Sequence, residues 1–300
     1  MMAPRPFHLP KVAAEGFKDA SAYDAHRPSY PTKAVDDLLG RLRIQDLPHA
    51  RVVEIGAGTG KFTEILARRP EGYDIIAVEP HEDMRSQLIS KVRSWENTPG
   101  KVTVVDGHAA ELPVVKESAD ACIAAQAFHW FANQEVLNEI HRVLKPGACL
   151  GMIWNVEDYN KPKSWKATTR WGQKLNDWVL SIPSDGTPRF RDLAWQAVFS
   201  GQLTRNLFQI VRNSLMDGHA KFSLPLGEAK VSWREWLSEE ALWARVNTLS
   251  QVALLEGPAR QAGLCAFREA LQDNDVERND KGEIAVHGVT YFAWTDKIYG

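Results

Sequence analysis

Glycines at 56, 58 and 60 follow the apolar run Val52-Val53-Glu54-Ile55 directly, and a helical pattern begins near Lys61. Glycine tolerates positive φ and lets a ligand approach the backbone closely. The amides of such a strand-to-helix turn, added to a helix N-terminus, attract an anion. Neither common phosphate-binding pattern fits by position: a dinucleotide fingerprint needs glycine where Lys61 stands, and a P-loop needs glycine at Ile55 and Ser or Thr at Phe62. Glu54, just before the glycines, would repel a phosphate but attract an ammonium group, and a ligand carrying both a carboxylate and an ammonium is an amino acid. Glu79 stands nineteen residues past Gly60, at the end of the run Ile75-Ile76-Ala77-Val78, where an acidic side chain commonly takes two ribose hydroxyls. A nucleoside joined to an amino acid is S-adenosylmethionine, so the pair predicts a site for that cofactor. Taken singly, the glycines read as a tight turn and Glu79 as a solvated loop charge; together, in strand context, they point to a ligand.

The elements that must hold these residues are legible in the same stretch. Short apolar runs near Val52–Ile55, Asp74–Val78, Val102–Val105, Ala121–Ala125 and Cys149–Trp154 alternate with helical periods. That alternation predicts an α/β fold, a parallel sheet with helices on both faces. Phe62, Ile65 and Leu66 form the inward face of one helix, Met84, Leu88, Ile89 and Val92 that of the next, and Val136, Leu137, Ile140, Val143 and Leu144 that of a later one. An irregular arm is expected over 1–20, and a helix over Ala34–Leu42 that Thr32 could cap. The cofactor-binding core with its N-terminal lid is expected over 21–155, a tryptophan-rich insertion or substrate cap over 156–220, and C-terminal helices and last strands over 221–300. Within that last part the pattern suggests a strand near Lys221–Pro225, helices near Trp233–Trp236, Glu239–Leu255 and Pro258–Leu271, and a final strand at Glu283–Thr295.

Composition excludes several alternatives. With 44% hydrophobic and 25% charged residues the chain has the balance of a folded globular protein. Its 36 basic and 38 acidic residues nearly cancel and form no basic block, which argues against nucleic acid as a partner. Three scattered cysteines, Cys122, Cys149 and Cys265, lack metal-ligand or disulfide spacing, so no metal is expected. No apolar run of signal-peptide or membrane-span length is visible, and the cytoplasm is the expected compartment. Oligomeric state is left open.

Beyond these derivations, the chain resembles the class I S-adenosylmethionine-dependent methyltransferases, of the ubiquinone-biosynthesis and trans-aconitate-methyltransferase type. The motifs that carry the resemblance are YDAHRPSYP, VVEIGAGTGKFTEIL, AVEPHEDM, GHAAELPV, ADACIAAQAFHWF and HRVLKPGACLGMIWN, in that order between Tyr23 and Asn155. It implies a Rossmann-like, mostly parallel seven-stranded sheet. It also implies roles: Glu54, Gly56 and Gly58 toward the methionyl group, Glu79 on the ribose, Pro80 and Met84 on the adenine, and Gln126 on the open side of the cofactor. His108 and Ala109 fall where the family contacts the adenine, His108 departing from the usual Asp or Thr, and Tyr23 and Arg27 match an N-terminal lid.

Methyl transfer from a sulfonium is an in-line displacement whose reactivity belongs to the cofactor. The protein needs to align a nucleophile about 3–3.5 Å from the methyl carbon and exclude water. An alcohol or carbon acid would need a base, and His129, after the fourth strand, is the candidate, with shaping of the pocket as its alternative role. Phe128, His129, Trp130, Trp154, Asn155 and Trp165 are expected around the acceptor, a small, hydrophobic molecule methylated on O, S or N. Hydrophobic secondary metabolites, dithiols and carboxylic acids all fit this description. The rival expectation is a protein of the same fold that binds the cofactor without methylating, as a cyclase or regulatory subunit.

Overall fold

The computed structural model describes residues 27–200 and 220–298, so Tyr23 lies outside the described residues. Seven strands form one sheet in the order β3-β2-β1-β4-β5-β7-β6. The strands are β1 (Arg51–Ile55), β2 (Asp74–Val78), β3 (Lys101–Val105), β4 (Ala119–Ala125), β5 (Leu144–Glu157), β6 (Gly227–Leu237) and β7 (Ile284–Asp296). The first five pair in parallel, while β7 runs antiparallel between β5 and β6. The order reverses at β1, whose neighbours are β2 and β4. Ligands in open α/β sheets bind outside the carboxyl ends of the strands at that switch point, which is where the glycine turn stands.

The helices are α1 (Thr32–Arg41), α2 (Lys61–Ala67), α3 (Glu82–Ser94), α4 (Gln134–Val143), α5 (Arg170–Ser181), α6 (Ala197–Ser200), α7 (Glu239–Val246), α8 (Ser250–Ala253) and α9 (Gly257–Ala270). Adjacent residues of a central strand face opposite layers. Val52, Ala121 and Ile123 therefore pack with α1 and α2 on one face, with Leu38, Phe62 and Leu66. Val53, Cys122 and Ala124 pack on the other with Val136, Leu137 and Ile140 of α4. A third cluster joins Trp171 and Leu175 of α5 to Leu242, Phe267 and Ile284, and forms a cap on the C-terminal half of the sheet. No helix among the described residues is long and apolar enough to cross a membrane.

Three local expectations are corrected. Pro31, not Thr32, is the N-cap of α1, and Thr32 is its first helical residue. The segment at 221–225 forms only an isolated bridge, Phe222 to Lys297; Pro225 has no amide hydrogen with which to continue a ladder. Trp233 and Trp236 lie in β6, not in a helix: Ala229, Val231 and Trp233 are partly covered while Glu228, Lys230, Ser232 and Arg234 are exposed, a period of two. The β6–β7 pair twice sets an indole over a glycine, Trp294 opposite Gly227 at its end and Trp233 opposite Gly288 within it. Glycine is required there because a Cβ on either would enter the facing indole. Replacing Gly288 by valine should displace Trp233 and cost about 1–3 kcal/mol, read as a lowered midpoint in urea unfolding; an unchanged midpoint would mean the pair is not close-packed.

Candidate functional site

The turn after β1 is shaped by the sheet beneath it. The amides of Gly56 and Ala57 both donate to the Val78 carbonyl, at 2.9 and 3.1 Å, which ties the turn to the end of β2. Gly56 has φ +71°, and a Cβ there would lie 2.8 Å from the Ala127 Cβ, so the turn also touches the loop after β4. Gly60, at φ +84°, caps α2 with Leu88 packed where its side chain would be.

Two acids are buried against this turn. Glu54 is 1% exposed; its Oε2 accepts from the Thr63 hydroxyl at 2.7 Å, and its Oε1 is buried with no partner among the described residues. Burial pushes its pKa up to about 8, against the Thr63 hydrogen bond and with a smaller contribution from the charge of Glu79. Glu79 is 6% exposed, and its two oxygens accept from the amides of Gly58 at 2.7 Å and His81 at 2.8 Å. Burial raises its pKa too, opposed by those two amides. A carboxylate accepts about four hydrogen bonds, so Glu79 retains capacity for a ligand's hydroxyls. Arg85 fixes the loop by donating to the Glu79 and Pro80 carbonyls, both at 2.9 Å, and by pairing with Asp106. Buried Met84 places its sulfur 3.8 Å from where a Cβ on Gly58 would be. His108 lies near Glu111, 3.8 Å away, beside the buried Ala109.

Across the loop after β4 lies a second pocket. Arg27, Gln126, His129, Trp130 and Asn155 line it, as do Arg189, Arg191 and Gln251, for which no sequence expectation existed. Gln126 adopts φ +56°; its amide donates to the Ile153 carbonyl and its Nε2 to the Asn155 carbonyl. Asn155 donates to the Pro28 and Ser29 carbonyls at 3.1 and 3.2 Å and accepts from the Thr290 hydroxyl at 2.6 Å. Its side chain therefore fastens the entry segment to β5 and β7. Lys61 Nζ donates to the Arg27 carbonyl at 2.6 Å, linking that segment to the start of α2.

Three residues expected around the acceptor do not line this pocket. Phe128 is fully buried against Phe131, Trp195 and Phe199. Trp154 is fully buried among Phe190, Trp195 and Tyr291. Trp165 lies under Lys230, whose Nζ is 3.3 Å from the ring centroid. Trp154 acts through His129 instead: its indole Nε1 donates to His129 Nδ1 at 3.1 Å. An indole N–H can only donate, so Nδ1 accepts and the ring proton sits on Nε2. Desolvation, then the charges of Arg189 and Arg27, hold the His129 pKa down to about 3. The ring is neutral at physiological pH and equipped to donate a hydrogen bond, so the geometry does not suit the base expected there.

No local sequence pattern marks Arg189 or Arg191. Arg189 is saturated from behind, by Asp185 at 2.8 and 2.9 Å and by Gln251 Oε1 at 3.0 Å. No group of acids, histidines and cysteines among the described residues could hold a metal ion.

Residues 53–152 match the family described as a methyltransferase domain. An uncharacterized methyltransferase-like protein of Schizosaccharomyces pombe is 35% identical over 184 residues, which cover 61% of this chain and 64% of that protein. The match thus spans less than two thirds of that relative's own length. A candidate type II methyltransferase from Anaeromyxobacter dehalogenans superposes with TM-score 0.55 at 20% identity, covering 90% of this chain and 97% of that one. Phosphoethanolamine N-methyltransferase 2 of Haemonchus contortus, in complex with S-adenosyl-L-methionine, superposes with TM-score 0.50 at 15% identity, covering 99% of this chain and 62% of that one. At these identities the two structures establish the shared fold.

The raised pKa of Glu54 has a signed consequence for the ligand-free protein. An acid held above its unfolded value contributes stability that is full below about pH 4.5 and lost as pH rises through about 8. Glu54→Gln should therefore match the parent in melting temperature near pH 5 and exceed it near pH 8, with each kcal/mol worth about 2–4 °C. A pH-independent difference between the two proteins would show that Glu54 is not held protonated by burial.

Proposed function

We propose that this chain, a class I methyltransferase by its matched domain and its sheet, binds S-adenosylmethionine in the turn after β1 and methylates a small molecule. The observation that carries this reading is the pair of buried acids at neighbouring strand ends: Glu54 with an oxygen that has no partner among the described residues, and Glu79 closing on the glycine turn. An unpaired buried carboxyl oxygen is costly unless a ligand satisfies it. The ammonium of a methionyl group fits Glu54 Oε1, and a ribose diol fits the remaining lone pairs of Glu79. The left-handed glycines keep the floor of the cradle free of side chains, and Met84, with Ala109 from the loop after β3, offers apolar contact for a purine. The cofactor seen in the Haemonchus enzyme of the same fold supports this assignment.

When bound, S-adenosylmethionine supplies an electrophilic methyl group on a sulfonium. This chain's own residues bind, orient and exclude water. Arg27 and Asn155 hold the entry segment over the site, and His129, neutral and fixed by Trp154, offers Nε2–H as a donor. Neither Asp nor Glu lines the second pocket among the described residues. An acceptor that arrives already nucleophilic at O, S or N suits such a pocket, and alignment then supplies the rate, on the order of 7–11 kcal/mol for well-oriented reactants.

Calorimetry with S-adenosylhomocysteine, whose amino group is the same, tests the cradle. At pH 7 binding should release close to one proton, because Glu54 begins protonated and ends paired to a cation, and affinity should rise as pH approaches 8. Glu79→Ala and Gly56→Val should each weaken binding at least tenfold. Absence of binding heat would overturn the cofactor assignment. Incubation with methyl-labelled S-adenosylmethionine and a small-molecule extract should transfer label; a protein that binds but never transfers would be the non-methylating rival.

A further inference from the structure

The end of β5 carries an acid that neither the cradle nor the second pocket uses. Glu157, the last residue of that strand, is fully buried, and both of its carboxyl oxygens lie without a hydrogen-bond partner among the described residues. A carboxylate removed from water and from donors is unfavourable unless nearby charge offsets it. Three groups surround it. Burial holds the pKa of the Tyr159 hydroxyl well above its ordinary value, with the charge of Glu157 adding to the effect, so that side chain brings no charge. Arg245 of α7 feels the charge of Glu157, but its guanidinium is already paired with Glu235 at 2.7 Å. The third is Arg27 of the entry segment, whose side chain is 14% exposed and whose Nη1 lies 3.8 Å from Glu157 Oε1.

What else Arg27 touches gives this pair its significance. Its Nη2 donates to the Thr248 carbonyl at 3.1 Å, in the turn after α7, where the Thr248 amide and hydroxyl both donate back to the Arg245 carbonyl. Its own carbonyl accepts from Lys61 Nζ at 2.6 Å, and Lys61 opens α2 directly after Gly60, the last glycine of the cradle. The carbonyls of the next two residues, Pro28 and Ser29, accept from Asn155, which shares a face of β5 with Glu157 two residues on. One residue of the entry segment thus meets the sheet, the cap and the border of the cradle. A buried ion pair adds little net stability over apolar packing, yet neutralising one member leaves the other uncompensated. The carbonyl of Thr248 can accept from Arg27 but cannot supply the missing charge.

We propose that Glu157 is a positioning residue: its buried carboxylate latches Arg27, holds the entry segment between cradle and cap, and so slows escape of the cofactor's product while touching neither reactant. The proposal rests on the cofactor assignment above and adds to it the residue that keeps the site closed. Asn155 ties the same segment through neutral hydrogen bonds to its backbone, which fix where the chain runs. The charge of Glu157 fixes where the guanidinium of Arg27 points, and with it the contact between the entry segment and the turn after α7. Because that segment also rests on Lys61, loosening the latch frees the chain that borders the glycine turn.

The test loads the full chain with tritiated S-adenosylhomocysteine, chases it with excess unlabelled compound, and times release by rapid filtration. Glu157→Gln should speed release at least tenfold, and Arg27→Gln should do so to a comparable degree. Glu157→Asp, which keeps the charge on a shorter stem, should fall between the Gln variant and the parent. The double variant should stay within about twofold of either single one, because residues that act as one unit are not additive. Damage to the packing of the cap would instead give factors that multiply in the double variant and an Asp variant no better than Gln. Unchanged release in Glu157→Gln, multiplying factors, or equal release from the Asp and Gln variants would each overturn the proposal. Should Glu157→Gln fail to fold, Arg27→Lys is compared with Arg27→Gln: slower release with the retained charge supports the latch, and equal release overturns it. A parent protein that binds no S-adenosylhomocysteine would instead strike the cofactor assignment beneath it.

Discussion

A carboxyl group buried at the end of β1, with one oxygen bound and the other unpaired, is the constraint around which this molecule is arranged. Glu54 sits on a strand flanked on both sides, by β2 and β4, so water cannot reach its side chain from within the sheet. Solvating it falls to Thr63, from α2, on one oxygen, and nothing in the described structure serves the other. The glycines that follow take left-handed backbone conformations that other residues would strain, and a Cβ at Gly56 would strike Ala127 and one at Gly60 would strike Leu88. Burial that raises the pKa of the free protein thus makes the binding of a cationic ligand proton-linked, because the carboxyl must ionise as the cation docks.

The antiparallel end of the sheet does separate work. Because β7 enters between β5 and β6, Thr290 and Tyr291 face the end of β5, and Asn155 can tie the entry segment to both strands. Trp154 turns to the opposite face, where it packs with Trp195 and Tyr291 and steers the tautomer of His129. The cap then brings Arg189, Arg191 and Gln251 to the pocket from two elements distant in sequence, the segment after α5 and α8. On the proposed reading, cofactor contacts are therefore built from the parallel half, and acceptor contacts from its junction with the antiparallel half.

This division explains what was legible in the sequence. Parallel strands buried on both faces read as apolar runs, and β1 to β4 fall within two residues of where the pattern put them, although β5 proved longer at both ends. The edge strand β6 did not read so: GEAKVSWREWL mixes charges with Trp233 and Trp236 three apart, which imitates a helix until the strand pairs with β7. Glu54, Glu79 and the glycines announced themselves because their chemistry depends on neighbours in sequence. Arg191 and Gln251 did not, since they reach the pocket only through tertiary approach of distant segments. The indole of Trp154 departs from its expected place on the acceptor because spacing fixes a strand end but not which face a side chain takes.

Charge is distributed unequally between the two compartments, and the inequality bears on chemistry. The cradle holds two buried carboxyl groups, Glu54 and Glu79; the adjoining pocket holds three arginines, of which Arg189 is paired with Asp185 and Arg27 lies 3.8 Å from Glu157. On the proposed reading, a donor carrying positive charge is drawn to the carboxyl groups and meets its acceptor at the loop after β4. The sulfonium charge is dispersed as the methyl group leaves, so the transition state is less sharply charged at sulfur than what precedes it. Removing water from such a donor raises the ground state more than the transition state, a route to rate that requires the site to be closed. A histidine pressed to neutrality and turned into a donor is consistent with a dry site.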